Sequence, residues 1–364
     1  MATATDQYQP DYAVPPGWII EERLAAQGIS HAELARRCGR SAKLISEIIS
    51  GKAPIAPKTA LQFEKVMGLD ASIWLGIEAD YRLHRERQAE ARTTEESAAW
   101  ARTFPVGELK KRNIIGTPSS DGQTVSALLT FFGVASISAW RVKYGKANVA
   151  YRHSPSFESD ESALATWLRL AELDAERQRC GDYRESGFKQ ALEQVRRLTG
   201  APAIQALEDT RPLLNDAGVA LSLVKPLPKM RVSGAAWWLS PRRPVIALSA
   251  RHKSDDHLWF SLFHEAAHLL LHSKKNVFVD GTDGNGDELE NEANAWAAES
   301  LVPRDAWYRF VVAGDYREPN VRRFAQAQGI APGIVVGRLQ HERLLSRNRL
   351  NGLKVRLRWA DSSS

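Results

Sequence analysis

The spacing of apolar residues predicts a chain that is mainly helical. Between residues 17 and 87, short apolar clusters recur at helical spacing and are separated by glycines. Helical patterns continue through residues 98–215, as in ESALATWLRLAELDAERQR. From Val219 the pattern changes to short β-type runs (VALSLV, GAAWWLS, RPVIALSA), followed by a predicted apolar helix from about Asp255 to His272. We therefore predict a multidomain chain, mainly α, with an α+β part.

One stretch, SHAELARRCGRSAKLISEII, has the pattern of a helix-turn-helix. Ser30 and Glu33 form a capping-box pattern that begins one helix, and Gly39 permits a tight turn before the next. Between Ala32 and Lys58 there are six basic residues and only two acidic ones. Side chains at the start of the second helix could therefore reach DNA bases. By spacing alone, a helical hairpin with a solvated basic face remains an alternative.

The surrounding segment, residues 15–81, resembles the lambda-repressor-like (Cro/cI-type) domain of HigA-family antitoxins. The most specific parts are the Gly-Ile-Ser before the first of the two helices, SGKAPI, and ASIWL near the end. The resemblance implies a five-helix domain that binds double-stranded operator DNA as a homodimer. It places four residues near the DNA groove, namely Arg40, Ser41, Lys43 and Ser46.

A second stretch, FHEAAHLLLH, has the HExxH spacing of a metal site. His264 and His268 lie one helical turn apart, so two imidazoles could bind one ion. Glu265 lies beside them and is predicted to be the general base that accepts a proton from the attacking water. His272 is two turns from His264, which is too far for both to bind the same ion.

The third ligand is predicted to be a carboxylate from the later segment DELENEANAWAAESLVP. Glu290 shares a helical face with Asn294, Ala297 and Leu301, which favours a buried position. Glu292 lies on a more polar face and remains the alternative. Two histidines and one carboxylate would leave a fourth position open, as in catalytic zinc sites.

The run from GAAWWLS to HEAAHLLLH, followed by ENEANAWAAESLVP, resembles the ImmA/IrrE family of metallo-endopeptidases. The resemblance implies a zincin-like fold with a small β-sheet before the HExxH helix. It implies Zn²⁺ as the cofactor, with His264, His268 and Glu290 as ligands and Asn294 four residues after the third ligand. The implied activity is proteolysis of a repressor or partner protein.

These patterns predict five regions along the chain. They are a helix-turn-helix DNA-binding domain (15–81), a helical linker (82–97), a helical intermediate region (98–215), an ImmA/IrrE-like zincin domain (216–310) and a helical C-terminal tail (311–364).

Two further patterns resemble functional motifs, but we interpret both as structural. The calcium-like loop DGTDGNGDELE has Glu288 where such a loop needs glycine, so we interpret it as a connection. The helix-turn-helix-like stretch around Gly329 is interpreted as packing.

Composition narrows the cellular setting. The net charge of +6, from 49 basic and 43 acidic residues, permits contact with nucleic acid without requiring it. Cys38 and Cys180 provide neither a disulfide framework nor a cysteine zinc site. The N-terminus lacks a secretory signal pattern, and no purely apolar run is long enough to span a membrane. We therefore predict a cytoplasmic protein without a membrane partner.

Two functions are consistent with the sequence. The first is a DNA-binding transcriptional regulator with a zinc-dependent endopeptidase domain that cleaves a regulatory protein partner. The second is an antitoxin-type repressor whose zincin-like domain binds a toxin partner or senses a signal without proteolysis. The intact HExxH set favours the first, and the HigA-like segment favours the second.

Overall fold

The structure is a computed structural model that describes residues 12–90, 94–151, 160–272, 278–281 and 288–359. The chain forms two compact units, Met1–Glu95 and Glu96–Ser364. Most elements are helices, and the second unit contains a small sheet. The prediction of a mainly helical chain with an α+β part is therefore confirmed. Residues 282–287 of the calcium-like loop and 91–93 of the predicted linker lie outside the described residues.

The described part of the first unit consists of five helices. They are α1 (Pro16–Gln27), α2 (His31–Arg37), α3 (Ala42–Ile49), α4 (Pro57–Met67) and α5 (Ala71–Glu90). Their apolar faces enclose one core that includes Ile20 and Phe63. α1 approaches α3 so closely that a Cβ at Gly17 would lie 1.9 Å from the carbonyl oxygen of Ile49. The crossing therefore requires glycine.

Local hydrogen bonds fix where α2 and α3 begin. The Ser30 hydroxyl accepts a hydrogen bond from the Glu33 amide (3.2 Å) at the start of α2. The Ser41 hydroxyl accepts from the Leu44 amide (3.2 Å) at the start of α3. Gly39 lies between the helices with φ of 60°, a conformation that favours glycine. The predicted cap at Ser30 and turn at Gly39 are both present.

The second unit contains a four-stranded sheet in the order β1-β3-β2-β4. The strands are β1 (Ala220–Leu223), β2 (Val232–Ser240), β3 (Arg243–Leu248) and β4 (Phe278–Gly281). β1 pairs with β3 in parallel, and β2 pairs antiparallel with both β3 and β4. The β-type runs that begin at Val219 all form strands.

Helices surround this sheet on both faces. Those before the sheet are α6 (Glu95–Arg102), α7 (Val106–Lys111), α8 (Asp121–Phe132), α9 (Ile137–Tyr151), α10 (Glu161–Arg177), α11 (Glu185–Leu198) and α12 (Ala203–Asp216). Those after β3 are α13 (Asp255–Leu271), α14 (Glu288–Leu301), α15 (Arg304–Ala313), α16 (Glu318–Gln328) and α17 (Pro332–His341). A 3₁₀ turn follows at Asn351–Leu353.

Alternate side chains of β1, β2 and β3 enter two different cores. Ile246 packs in the core that contains the apolar face of α13, whereas Val245 packs in the core formed with α8 and α10. Trp237 and Trp238 likewise point to opposite faces, and Trp238 packs edge-on against Tyr183 at 5.0 Å. Burial on both faces explains why β3 is apolar from Pro244 to Leu248 instead of alternating.

The helices before the sheet therefore belong to the same packed unit as the sheet. Trp100, Trp140 and Trp167 are buried in the core on the α10 side. The Trp167 indole N–H also donates to the carbonyl oxygen of Val224, next to β1, at 2.9 Å. This contact ties α10 directly to the edge of the sheet.

Residues Asp121–Tyr144 are apolar and long enough to cross a membrane by composition. The segment is nevertheless two helices, α8 and α9, with Gly133 in the left-handed conformation at the end of the first. Phe132 and Trp140 from the two helices contact each other within the core. The segment is therefore weak evidence of a membrane span.

The C-terminal segment holds the beginning of α13. The buried Asp255 carboxylate accepts a hydrogen bond from the Val355 amide at 2.8 Å, and Asp256 pairs with Lys354 at 2.7 Å. α17 also packs on α13, as expected for a packing role of the stretch around Gly329. A Cβ at Gly337 of α17 would lie 2.7 Å from the Asp256 carboxylate, so a larger residue there would displace it.

Candidate metal centre and candidate nucleic-acid interface

The middle of α13 carries three buried polar side chains among apolar ones. His264, Glu265 and His268 are each at most 2% exposed. Polar groups at this depth require partners, because burying them without hydrogen bonds is costly. The next helix along the chain, α14, supplies several of these partners.

His264, His268 and Glu290 converge at one point. The Nε2 atoms of the two histidines are 3.1 Å apart. The Glu290 carboxylate lies 3.1 Å from Nε2 of His264 and 3.4 Å from Nε2 of His268. Among the described residues, these three form a group of side chains able to hold a metal ion.

The spacing of these donor atoms fits a tetrahedral ion. Bonds of about 2.0–2.1 Å in tetrahedral geometry separate neighbouring ligand atoms by about 3.3 Å. The two Nε2 atoms, 3.1 Å apart, agree with that separation, and Glu290 places one carboxylate oxygen (Oε2) 3.1 Å from Nε2 of His264 and the other (Oε1) 3.4 Å from Nε2 of His268. Two imidazoles and one carboxylate also leave a fourth position open for water or substrate.

Electrostatics favour a neutral His268 and an ionised Glu290. Burial lowers the pKa of the His268 imidazole, which favours its neutral, ligand form. Burial alone would raise the pKa of Glu290, but hydrogen bonds from His264 and His268 outweigh it and lower the pKa to about 2. Glu290 is therefore a carboxylate in the folded protein.

Close packing of α14 on α13 brings Glu290 to the histidines. Ala293, one of the small residues of α14, is fully buried. Asn294, one turn after Glu290, places its Oδ1 atom 3.0 Å from Nδ1 of His264. Glu292, the alternative ligand considered from sequence, lies elsewhere, with a carboxylate oxygen 3.3 Å from Nε2 of His272.

The side chain of Glu265 occupies the space left by the absence of a side chain at Gly234 of β2. A Cβ at Gly234 of β2 would lie 2.5 Å from Oε1 of Glu265 and 2.8 Å from its Cγ. Only glycine leaves the Glu265 side chain in this position. Sequence reasoning missed Gly234, although a glycine inside a predicted strand is a signal of close approach by another group.

Of the four predicted DNA-contacting residues, Arg40 and Ser41 lie just before α3, and Lys43 and Ser46 lie within it. Lys43 and Ser46 are exposed, and Ser41 is exposed with its hydroxyl oxygen engaged as the helix cap. Arg40 is half-buried, and its Nε atom donates to the Gln62 side chain of α4 at 2.7 Å. Lys43 also lies 3.8 Å from Glu47, one turn further along α3.

Both acidic residues of the basic stretch are paired with basic ones. Glu33 accepts a hydrogen bond from Arg37 at 2.7 Å and also pairs with Arg36. Glu33 thus has a different role from the reciprocal capping contact that its position suggested. The remaining positive charge of this stretch is presented by exposed side chains, as DNA binding requires.

Comparison with known proteins finds one family match in each of the two compact units. Residues 19–74 match the helix-turn-helix family, and residues 221–339 match the IrrE N-terminal-like domain, a peptidase family. The chain is a helix-turn-helix regulator with an IrrE N-terminal-like domain. The helix-turn-helix domain comprises α1 to the beginning of α5, and the IrrE-like domain extends from β1 to α17.

Individual proteins are similar to part of this regulator. An uncharacterized HTH-type transcriptional regulator of Escherichia coli (strain K12), YddM, is 32% identical over 63 residues, which are 17% of this chain and 67% of YddM. Two solved structures each match 22% of this chain, both with a TM-score of 0.20. One is a putative antidote protein of a plasmid maintenance system from Nostoc punctiforme (26% identical, 97% covered). The other is a HigA-family addiction module antidote protein from Coxiella burnetii (24% identical, 95% covered).

Proposed function

We propose that the chain is a cytoplasmic DNA-binding transcriptional regulator whose IrrE-like domain is a zinc-dependent endopeptidase that cleaves a regulatory protein. The observation that carries this proposal is the convergence of His264, His268 and Glu290 at ligand spacing, beside the buried Glu265. The match to a peptidase family supports the same reaction class.

Each residue of the centre has a distinct role in this proposal. His264, His268 and Glu290 would hold Zn²⁺, which would act as a Lewis acid on the scissile carbonyl. Glu265 accepts the proton of the attacking water and passes it to the departing amine. Gly234 leaves the space that the Glu265 side chain needs in order to lie beside the ligands.

The DNA-binding part of the proposal rests on α3. Lys43 contacts a phosphate or a base edge, and Ser46 lies one turn along α3 from Ala42 at its start. The Ser41 hydroxyl hydrogen can donate to a phosphate while its oxygen caps α3. Arg40 retains further donors beyond the one held by Gln62. Because half-site recognition uses two copies, we propose a homodimer on operator DNA.

The first test is the zinc content of the purified protein, measured by elemental mass spectrometry. We expect about one zinc per chain in the wild type and none in a His264→Ala, His268→Ala variant. A His31→Ala, His84→Ala variant is the matched control, because it removes two histidines of the first unit. It should retain the wild-type zinc content. A folded wild-type protein that takes up no added zinc would contradict the endopeptidase proposal.

A further inference from the structure

The outer edge of His268, which faces away from the candidate metal position, has its own set of contacts. Nδ1 of His268 lies 2.9 Å from Nδ1 of His272, the first residue after α13. Nε2 of His272 lies 3.3 Å from a carboxylate oxygen of Glu292. The ring of Phe278, on β4, stacks on the His268 ring at 4.4 Å with an angle of 11° between the planes.

These contacts are chemically consistent with one arrangement of protons. A metal bound at Nε2 of His268 leaves the ring hydrogen on Nδ1, which must then donate. Nδ1 of His272 is the acceptor at 2.9 Å, so the hydrogen of His272 lies on Nε2. That hydrogen points to the Glu292 carboxylate, which accepts it. Every donor in the chain of contacts meets an acceptor.

We propose that His272 and Glu292 form a positioning relay that fixes the tautomer and the ring orientation of His268 for metal binding. The proposal rests on the proposed function, since it assumes that His268 is a metal ligand. It assigns His272 a role that its distance from His264 along the helix did not reveal. It also assigns a role to Glu292, the alternative third ligand from the sequence, which is absent from the group of His264, His268 and Glu290.

The two histidine ligands are thus supported in different ways. His264 contacts the Asn294 side chain directly, whereas His268 reaches Glu292 only through His272. The His272 side chain is 2% exposed, so its ring is held between His268 and α14. The Glu292 side chain is 56% exposed and therefore offers a charge that can be changed with little effect on packing.

The test is the dissociation constant for Zn²⁺, measured by competition with a chromogenic chelator on the full-length protein. His272→Phe keeps a planar ring but removes the acceptor, and we expect its dissociation constant to rise about 10–100-fold. His272→Asn places an amide oxygen near the former Nδ1 position, and we expect it to recover most of that loss. Glu292→Gln should weaken binding by a smaller factor, because an acceptor remains but its charge is lost.

Each outcome separates the relay from the proposed function. If the wild type binds no zinc, the proposed function fails. If the wild type binds zinc and His272→Phe binds it with the same dissociation constant, the relay is overturned and the proposed function stands. A folded His272→Asn variant that binds zinc as weakly as His272→Phe would also overturn it, since any loss would then come from packing.

A second measurement tests the relay with both His268 and His272 left unsubstituted. Long-range ¹H–¹⁵N spectra of the zinc-loaded protein should show His268 protonated at Nδ1 and His272 protonated at Nε2. In Glu292→Leu, an exposed substitution that is expected to preserve the fold, the His272 signal should lose its single tautomer. A wild-type His272 protonated at Nδ1 would contradict the relay directly, because two N–H groups would then face each other.

Discussion

The two helices that carry the proposed chemistry differ in almost every physical respect. α13 is buried along most of its length, and His264 and His268 are held by side chains of the same protein. α3 buries Ile45 and Ile48 and presents Lys43 to solvent. The side chains of the candidate metal centre on α13 are therefore in position before any ligand binds. The exposed side chains of α3 would gain their contacts only when DNA binds.

Two lysine–carboxylate ion pairs show the same difference between a buried and an exposed environment. Lys354 and Asp256 lie 2.7 Å apart with side chains 13% and 5% exposed. Lys43 and Glu47 lie 3.8 Å apart with side chains 85% and 38% exposed. Water screens the second pair and not the first, so the same chemical contact should have different energetic consequences. The following predictions test this comparison.

The largest effect is expected for Glu265→Gln. The amide is nearly isosteric but cannot accept the proton, so peptide hydrolysis should fall by about 10²–10⁴-fold, the contribution typical of a general base. Zinc content and DNA binding should not change. The measurement is cleavage of the protein substrate once a cellular target has been found with the wild type. Cleavage at the wild-type rate would exclude Glu265 as the base.

Lys354→Met should lower the free energy of unfolding by about 3 kcal/mol, because it leaves the buried Asp256 without its cation. The matched control is Lys43→Met, for which we expect a change below about 0.5 kcal/mol. Urea denaturation of the two variants and the wild type gives the comparison. Equal losses for both variants would show that burial does not distinguish the two pairs.

Gly234→Ala should reduce hydrolysis by about 10²-fold, the size expected for a displacement of roughly 1 Å at a reacting group. The new methyl group would lie 2.5 Å from Oε1 of Glu265, so that carboxylate must move. Gly187→Ala in α11 is the control, because a Cβ there meets no atom within 4 Å. The control should keep full activity and zinc content. If Gly234→Ala retained the proposed hydrolysis at the wild-type rate, Glu265 would tolerate displacement.

Lys43→Ala should have the smallest effect, and only on DNA. We expect about a fivefold loss of affinity for a 30-base-pair duplex of random sequence, with the salt dependence of binding reduced by about one unit of slope. Fluorescence anisotropy at several salt concentrations measures both quantities. Zinc content should remain that of the wild type. An unchanged salt slope would argue against a phosphate contact by Lys43.

Local spacing predicted the parts of the candidate site that lie on single helices. His264 and His268 share a face because they are one turn apart, and the same rule placed Glu290 with Asn294. The choice between Glu290 and Glu292 stayed open because it depends on how α14 is rotated and packed against α13. That rotation follows from long-range contacts such as the burial of Ala293, which no local pattern encodes.

Other features were not predicted because they depend on where the chain goes after an element ends. His272 reaches the outer edge of His268 because α13 ends there and His272 takes an extended conformation, with φ of −112° and ψ of 170°. The helices of the intermediate region were predicted as helices, but their amphipathic pattern does not specify which sheet face they cover. The apolar run of β3 was the available signal that both faces are covered.

The contacts of Lys354 and Val355 determine how far toward the C-terminus a fragment must extend if the IrrE-like domain is to be studied alone. The family match ends at residue 339, before either of them. A fragment cut there would leave Asp255 without the Val355 amide and Asp256 without Lys354, at the beginning of the helix that carries the centre. Arg356 also bridges Ser254 just before that helix. An expression boundary drawn from family resemblance would therefore truncate the folding unit, and the fragment needs to extend beyond Arg356.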